Sequence, residues 1–202
     1  MSIREAVPAD VPAMLAIYAE YVTQTAVSFE YEVPSEAEFT RRLAEHNTVY
    51  PWLVWEEDNR VLGYCYAGRA FERAAYAWNA EISCYLAHEA QHRGIGRQLY
   101  ARVEELLRRQ GCRKVFAVVT SANEPSLAFH RSIGYRDAAC FRQVGSDCSN
   151  FAVRDQIIAD AALVVPCIFN QHGWPSFWCG VARICVRICG GCGRGRNSLS
   201  SR

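Results

Sequence analysis

The sequence predicts an α/β fold: a mixed sheet with helices on its faces. Three observations predict it. Two aromatic and apolar runs, Tyr50 to Trp55 and Val61 to Ala67, bracket the polar turn Glu56 to Arg60, which is the pattern of a β-hairpin. From there on, segments with the two-residue period of a strand alternate with segments of helical period, in the order strand, strand, strand, helix, strand, helix, strand. The chain has 202 residues, half of them hydrophobic, which suits one domain with a sizeable core plus an extension.

Taken in order, Ile3 to Ala6 reads as a short first strand. Asp10 is placed to cap a helix that starts near Val11 with Pro12 in its first turn, and Val11, Met14, Leu15, Tyr18 and Val22 share one face of it. Thr23 to Glu32 loses the helical period and reads as a loop, so Phe29 and Glu30 are candidate substrate contacts. Ser35 and Glu38 form a capping box for a second helix carrying Phe39 and Leu43. After the hairpin, Gly68 to Tyr76 is a loop rich in arginine and aromatics. Asn79 to Leu86 then alternates as a strand, with Glu81, Ser83 and Tyr85 on one face and Ala80, Ile82, Cys84 and Leu86 on the other.

Gln91–His92–Arg93–Gly94–Ile95–Gly96, running into Arg97, reads as an anion-binding turn opening a helix. Its glycines suit positive φ or a close backbone approach, and a helix start beyond them turns free N–H groups outward. An ordinary strand-to-helix connection has the same look. The helix carries Leu99, Val103, Leu106 and Leu107 on one face and stops at Gly111. Val115 to Val119 is a continuous apolar run that suits a buried strand. Asn123–Glu124–Pro125 opens a helix ending at Gly134, and Tyr135 to Arg142 forms a further strand.

Composition narrows the function. Twenty-two Lys and Arg against twenty-one Asp and Glu give a formal charge of +1, which offers no attraction for nucleic acid or a membrane surface. No segment approaches the roughly 20 apolar residues of a membrane span, and no leader pattern opens the chain, so a cytoplasmic location and small-molecule partners are expected. Of ten cysteines, the first five, Cys65, Cys84, Cys112, Cys140 and Cys148, scatter among apolar neighbours and read as buried structural thiols. Residues 146–202 lose clear periodicity and gather Cys, Gly, Arg and Ser; Cys185, Cys189 and Cys192 lack the histidine or second pair that a zinc site needs, so no metal is expected.

With these elements set out, the chain resembles the GNAT acyl-CoA N-acetyltransferases. Q-x-x-G-x-G after a strand, at 91–96, is that family's pyrophosphate motif; R-A-A-Y at 73–76, Glu81, Tyr85 and N-E-P-S at 123–126 fall in the family's order. Y-P-W-L-V at 50–54, Y-A-G at 66–68 and H-R-S-I-G-Y at 130–135 are similar to the phosphinothricin and methionine-sulfone acetyltransferase branch. The resemblance covers residues 2–145 and implies a mostly antiparallel, twisted sheet with helices on both faces. It also implies acetyl-CoA as acetyl donor and a small amino-acid-like amine as acceptor. Beyond Gly145 the branch's closing strand, which helps form the acceptor cleft and the homodimer contact, is not legible; 146–202 reads as an atypical extension, frameshifted or poorly packed.

The resemblance also assigns roles. Glu81, by its residue type alone either a salt-bridged strand carboxylate or a base, becomes the candidate general base. The backbone of Cys84, Tyr85 and Leu86 is expected to pair with the pantetheine arm, and the amides of residues 91–97 with the pyrophosphate, assisted by the charges of Arg93 and Arg97. Asn123 holds the arm or caps its helix. His130 is the candidate at the thiol end, and Phe29, Arg73 and Tyr76 are the candidate acceptor contacts, the Arg73 guanidinium suiting an amino-acid carboxylate. Cys84 lies on the strand face opposite Glu81, so direct transfer is expected instead of an acetyl-cysteine. Two other readings stand beside this one: a CoA-binding module without turnover, and a transferase acting on a protein N-terminus or polyamine.

Overall fold

The computed structural model describes residues 1–147 and 157–166. Its spine is a seven-stranded sheet built from β1 (Ser2–Glu5), β2 (Trp52–Glu57), β3 (Arg60–Arg69), β4 (Asn79–Leu86), β5 (Lys114–Thr120), β6 (Tyr135–Asp147) and β7 (Ile157–Pro166), in the order β1-β2-β3-β4-β5-β7-β6. Every neighbouring pair is antiparallel except β4 and β5. That single parallel pair is joined through helix α3 (Ile95–Arg109), as a crossover between parallel strands requires. The hairpin of β2 and β3 turns at Asp58 and Asn59, both at positive φ, residues that tolerate the left-handed region.

Side-chain alternation divides the core between the two sheet faces. Helices α1 (Val11–Gln24) and α2 (Glu36–Asn47) lie on one, where Val11, Met14, Phe39 and Leu43 bury against Trp52, Val54 and Tyr64. On the other, Leu99, Val103 and Leu107 of α3 pack on Cys65, Ile82, Val115 and Ala117, with α4 (Glu124–Ser132) adding Leu127. Each fully buried aliphatic side chain stabilises the fold by about 1.5–3 kcal/mol. Glu81, Ser83 and Tyr85 alternate with Ala80, Ile82 and Cys84 as the sequence predicts. No helix among the described residues is long and apolar enough to cross a membrane.

Three expectations are corrected. Asp10 does not cap α1; its carboxylate takes two 2.7 Å bonds from the Arg4 guanidinium and one from the Val7 amide, because a charge-assisted fork outcompetes a lone helix N–H. Val118 is not buried like its neighbours but 45% exposed, because alternation puts it with Phe116 on the less covered face of β5, opposite the one that packs on α3. The closing strand expected to be missing is present: β7 inserts between β5 and β6, and β6 itself runs past residue 145 to Asp147. The apolar run Ile157 to Val165 supplies it, with Pro166 at its last position, where no further ladder bond is asked of it. The expectations for Cys185, Cys189 and Cys192 lie outside the described residues.

Candidate functional site

The site begins where two strands part. β4 pairs with β5 only from Asn79 to Glu81, and from Ile82 onward its β5-facing side has no strand partner. Which residues face that gap follows from alternation. The Ala87 amide bonds to the Leu62 carbonyl of β3, so the backbone groups of Tyr85 also turn to β3, opposite Tyr64, and those of Cys84 and Leu86 turn to the gap. The sequence expectation for Tyr85 is corrected accordingly: its backbone is committed within the sheet, and its ring packs between Tyr18 and Tyr21.

The gap is a slot of about 70 Å³ lined by Ile82, Cys84, Tyr100, Val118, Asn123 and His130. Against the end of β4 stands Tyr21 of α1, which the sequence reading passed over because it lies off the helix's apolar stripe. Its hydroxyl donates to the Leu86 carbonyl at 2.7 Å and accepts from the Leu86 amide at 3.3 Å and the Gln91 side chain at 3.4 Å. A single phenol thus satisfies both slot-facing groups of Leu86, which would otherwise be orphaned.

The glycine turn leads from the slot into α3. His92 and Gly94 both sit at positive φ, and Gly94 is the residue just before the first helical turn. At 77° the Gly94 φ is one that an L side chain resists. Gly96 needs no special angle, and a methyl added there would meet Phe129 and Leu86 at ordinary contact distance, so neither backbone nor packing demands a glycine at this position. The first amides of α3, from Ile95 on, have no carbonyl within the helix to bond and face outward with the positive end of the helix dipole. Arg93 is not held free for an anion: it forms an ion pair with Glu57 at 2.7 Å, while Arg97 reaches the Ser132 carbonyl and hydroxyl at 3.4 and 3.3 Å.

Two titratable groups flank the slot. Glu81 is largely buried, has no hydrogen-bonded or charged partner among the described residues, and has its pKa raised by desolvation alone. An unpaired buried carboxylate is costly to a fold that does not use it. His130, 4% exposed, is tied at both nitrogens. Nδ1 lies 2.7 Å from the Ser126 carbonyl, which only accepts, so Nδ1 carries the proton and Nε2 accepts from the Tyr100 hydroxyl at 2.7 Å. Burial lowers its pKa against the opposing pull of the Ser126 bond, leaving a neutral imidazole. Tyr100 is the second residue the sequence reading missed; it is buried on α3 beside Leu99, and helical spacing alone does not show that it meets His130.

The remaining candidates are placed less centrally. Asn123 caps its helix, as one of the two expectations had it: its side chain accepts from the Ser126 amide at the start of α4, and the residue also lines the slot. Phe29 and Tyr76 are partly exposed, and Tyr76 packs on Phe71, 5.1 Å between ring centres. Arg73 is exposed in the same loop. Glu30 is committed to Arg42 at 2.6 Å and to the Tyr18 hydroxyl at 3.1 Å.

The comparisons with known proteins agree with this geometry. A family model described as an acetyltransferase (GNAT) domain matches residues 3–150. A phosphinothricin N-acetyltransferase of Streptomyces viridochromogenes is 34% identical over 145 residues, 72% of this chain and 79% of that protein. An L-methionine sulfoximine/L-methionine sulfone acetyltransferase of Pseudomonas aeruginosa is 34% identical over 151 residues, 71% of this chain and 85% of that one. Among solved structures, a GNAT superfamily phosphinothricin acetyltransferase from Sinorhizobium meliloti in complex with AcCoA superposes with a TM-score of 0.74 at 31% identity, covering 81% of this chain and 86% of that one.

Proposed function

The chain belongs to the GNAT acetyltransferases and is an acetyl-CoA-dependent N-acetyltransferase, and from that premise we propose that its acceptor is the amine of a small amino acid analogue of the phosphinothricin, methionine sulfone or methionine sulfoximine type. The relatives acting on those compounds support the acceptor class. The observation that carries the site is the parting of β4 from β5 immediately after Glu81. It leaves a carboxylate without a charged partner among the described residues at the start of a slot along which the β4 backbone has no strand partner.

Acetyl-CoA supplies a thioester carbonyl for the amine to attack and a thiol to leave. The residues of the chain divide the remaining work. Amides from Gly94 to Arg97 hold the pyrophosphate at the start of α3, with Gln91, His92 and Ile95 shaping the turn. The Arg97 charge adds to them, whereas Arg93 contributes only by giving up Glu57. Cys84 and Leu86 offer the slot-facing backbone to the arm, with Asn123 on the opposite wall. The Glu81 carboxylate accepts the proton that the acceptor amine must lose. Its raised pKa brings it closer to that task, since a base works best when its pKa approaches the working pH. His130 and Tyr100 form a neutral, fixed pair at the inner wall, excluding water. Arg73 pairs with the acceptor's carboxylate, and Phe29 and Tyr76 flank its side chain.

Thiol release from acetyl-CoA with each of the three acceptors tests this directly. Release with at least one is expected; folded protein that releases no thiol with any of them overturns the acceptor assignment. Calorimetric binding of acetyl-CoA without release from any amine would mark the chain as a binding module. We also assign it to the cytoplasm, where acetyl-CoA is made and used, and to a homodimer, which size-exclusion chromatography with light scattering will report.

A further inference from the structure

Cys65 and Cys84 are directly opposite each other on β3 and β4. The Ala87-to-Leu62 bond makes residues 62 and 87 a hydrogen-bonded pair, so by alternation 65 and 84 form a non-hydrogen-bonded pair, the kind in which facing side chains come closest. Such positions hold α-carbons about 4.5 Å apart, at the short end of the roughly 4.4–6.8 Å span that a disulfide bridges without backbone movement. Both side chains project to the α3 face, Cys65 within that core and Cys84 packed against it. They differ in access. Cys65 is fully enclosed, and Cys84 is half-buried and lines the slot.

We propose that Cys65 and Cys84 are a redox modification site, closing to a cross-strand disulfide by exchange with a low-molecular-weight disulfide that enters through the slot. The Cys84 thiolate attacks one sulfur of the incoming disulfide; a mixed disulfide forms and one small thiol leaves. The Cys65 thiol then attacks the Cys84 sulfur, its proton passing to the second departing thiolate. The two protein thiols lose two electrons and two protons, and the small disulfide is reduced to two thiols. The order follows from access, and burial, which raises the Cys65 pKa, keeps that thiol from attacking first. Cys112 and Cys140 lie on other segments, at the end of α3 and in β6, with neither of them opposite Cys65 or Cys84.

The entry path rests on the slot being the cofactor site proposed above, and the test separates the two. The full, reduced chain is incubated with excess oxidised glutathione, quenched in acid, alkylated and mapped by peptide mass spectrometry. A Cys65–Cys84 linked peptide, protected from alkylation at both positions and restored by dithiothreitol, is expected. Cys65→Ala should instead trap Cys84 as a lasting glutathione adduct, and Cys84→Ala should leave Cys65 fully alkylatable. Wild-type protein in which both cysteines stay alkylatable, or in which Cys84 remains glutathionylated beside a free Cys65, overturns the proposal whether or not the variants fold. Saturating acetyl-CoA should slow the exchange at least several-fold. An unchanged rate together with the linked peptide would overturn the slot as the route of entry while the pairing of the two cysteines stood.

Discussion

At the scale of single residues, the site turns on a carboxylate and a phenol. Glu81 has no charged partner among the described residues, and its burial opposes the ionised form. Its folded-state pKa is raised, so the folded protein binds its proton more tightly than the unfolded chain, and the ionised form detracts from stability above the unfolded pKa. Glu81→Gln is therefore expected to lower turnover by about 10²–10⁴-fold with little change in acetyl-CoA affinity, while raising stability at pH 7 by roughly 0.5–2 kcal/mol. The stability gain should shrink as pH falls and wild-type Glu81 becomes protonated. Denaturant titrations at several pH values and a thiol-release assay read both effects; unchanged turnover at neutral pH would remove Glu81 from the mechanism. Tyr21 acts by competition. Its hydroxyl occupies both slot-facing groups of Leu86, so an arm that pairs there must displace it. Tyr21→Phe removes the competitor and should tighten acetyl-CoA binding about 2- to 10-fold, the worth of one net hydrogen bond. Calorimetry measures this, and weaker binding would mean that the phenol itself contacts the ligand.

At the scale of elements, α3 joins the two halves of the site. Its start presents free amides, and its buried face carries Tyr100 to His130. The two glycines at that start do different work, and stability can tell them apart. Gly94 holds a left-handed φ with open space around its α-carbon, so Gly94→Ala strains only the backbone and should cost about 1–2 kcal/mol. At Gly96 a new methyl would meet Phe129 and Leu86 at ordinary contact distances of 3.5 and 3.6 Å. Gly96→Ala should therefore leave stability within about 1 kcal/mol of wild type, helped by the better helix propensity of alanine. Thermal unfolding checks both. Any loss of acetyl-CoA binding by Gly96→Ala would then report the close approach of a ligand and not a damaged fold.

At the scale of the whole molecule, the sheet is completed from the far end of the chain. β7 takes the flank of β5 that β4 does not use and holds β6 to the sheet. A chain ended after Asp147 would leave two strands with unpaired edges, a template for association. That truncation is expected to aggregate or lose its cooperative unfolding transition, as size-exclusion chromatography and thermal melts will report; a monodisperse, cooperatively folding product would mean that β7 adds little to the fold.

The sequence by itself determined the helices and strands as far as Arg142, the two faces of β4 and the glycine turn, because each is written in short-range periodicity or in one residue's backbone preference. It also supplied the family motifs, from which the donor and the candidate base follow. What only the tertiary structure decided depends on partners distant in the chain. Tyr21 meets Leu86 across 65 residues, and Tyr100 meets His130 across 30. Glu57 claims Arg93, Arg4 claims Asp10, and the register with β3 turns the Tyr85 backbone away from the slot. β7 was hidden for a related reason: an apolar run shows that a segment can be buried, but only a strand with an open flank decides where it pairs.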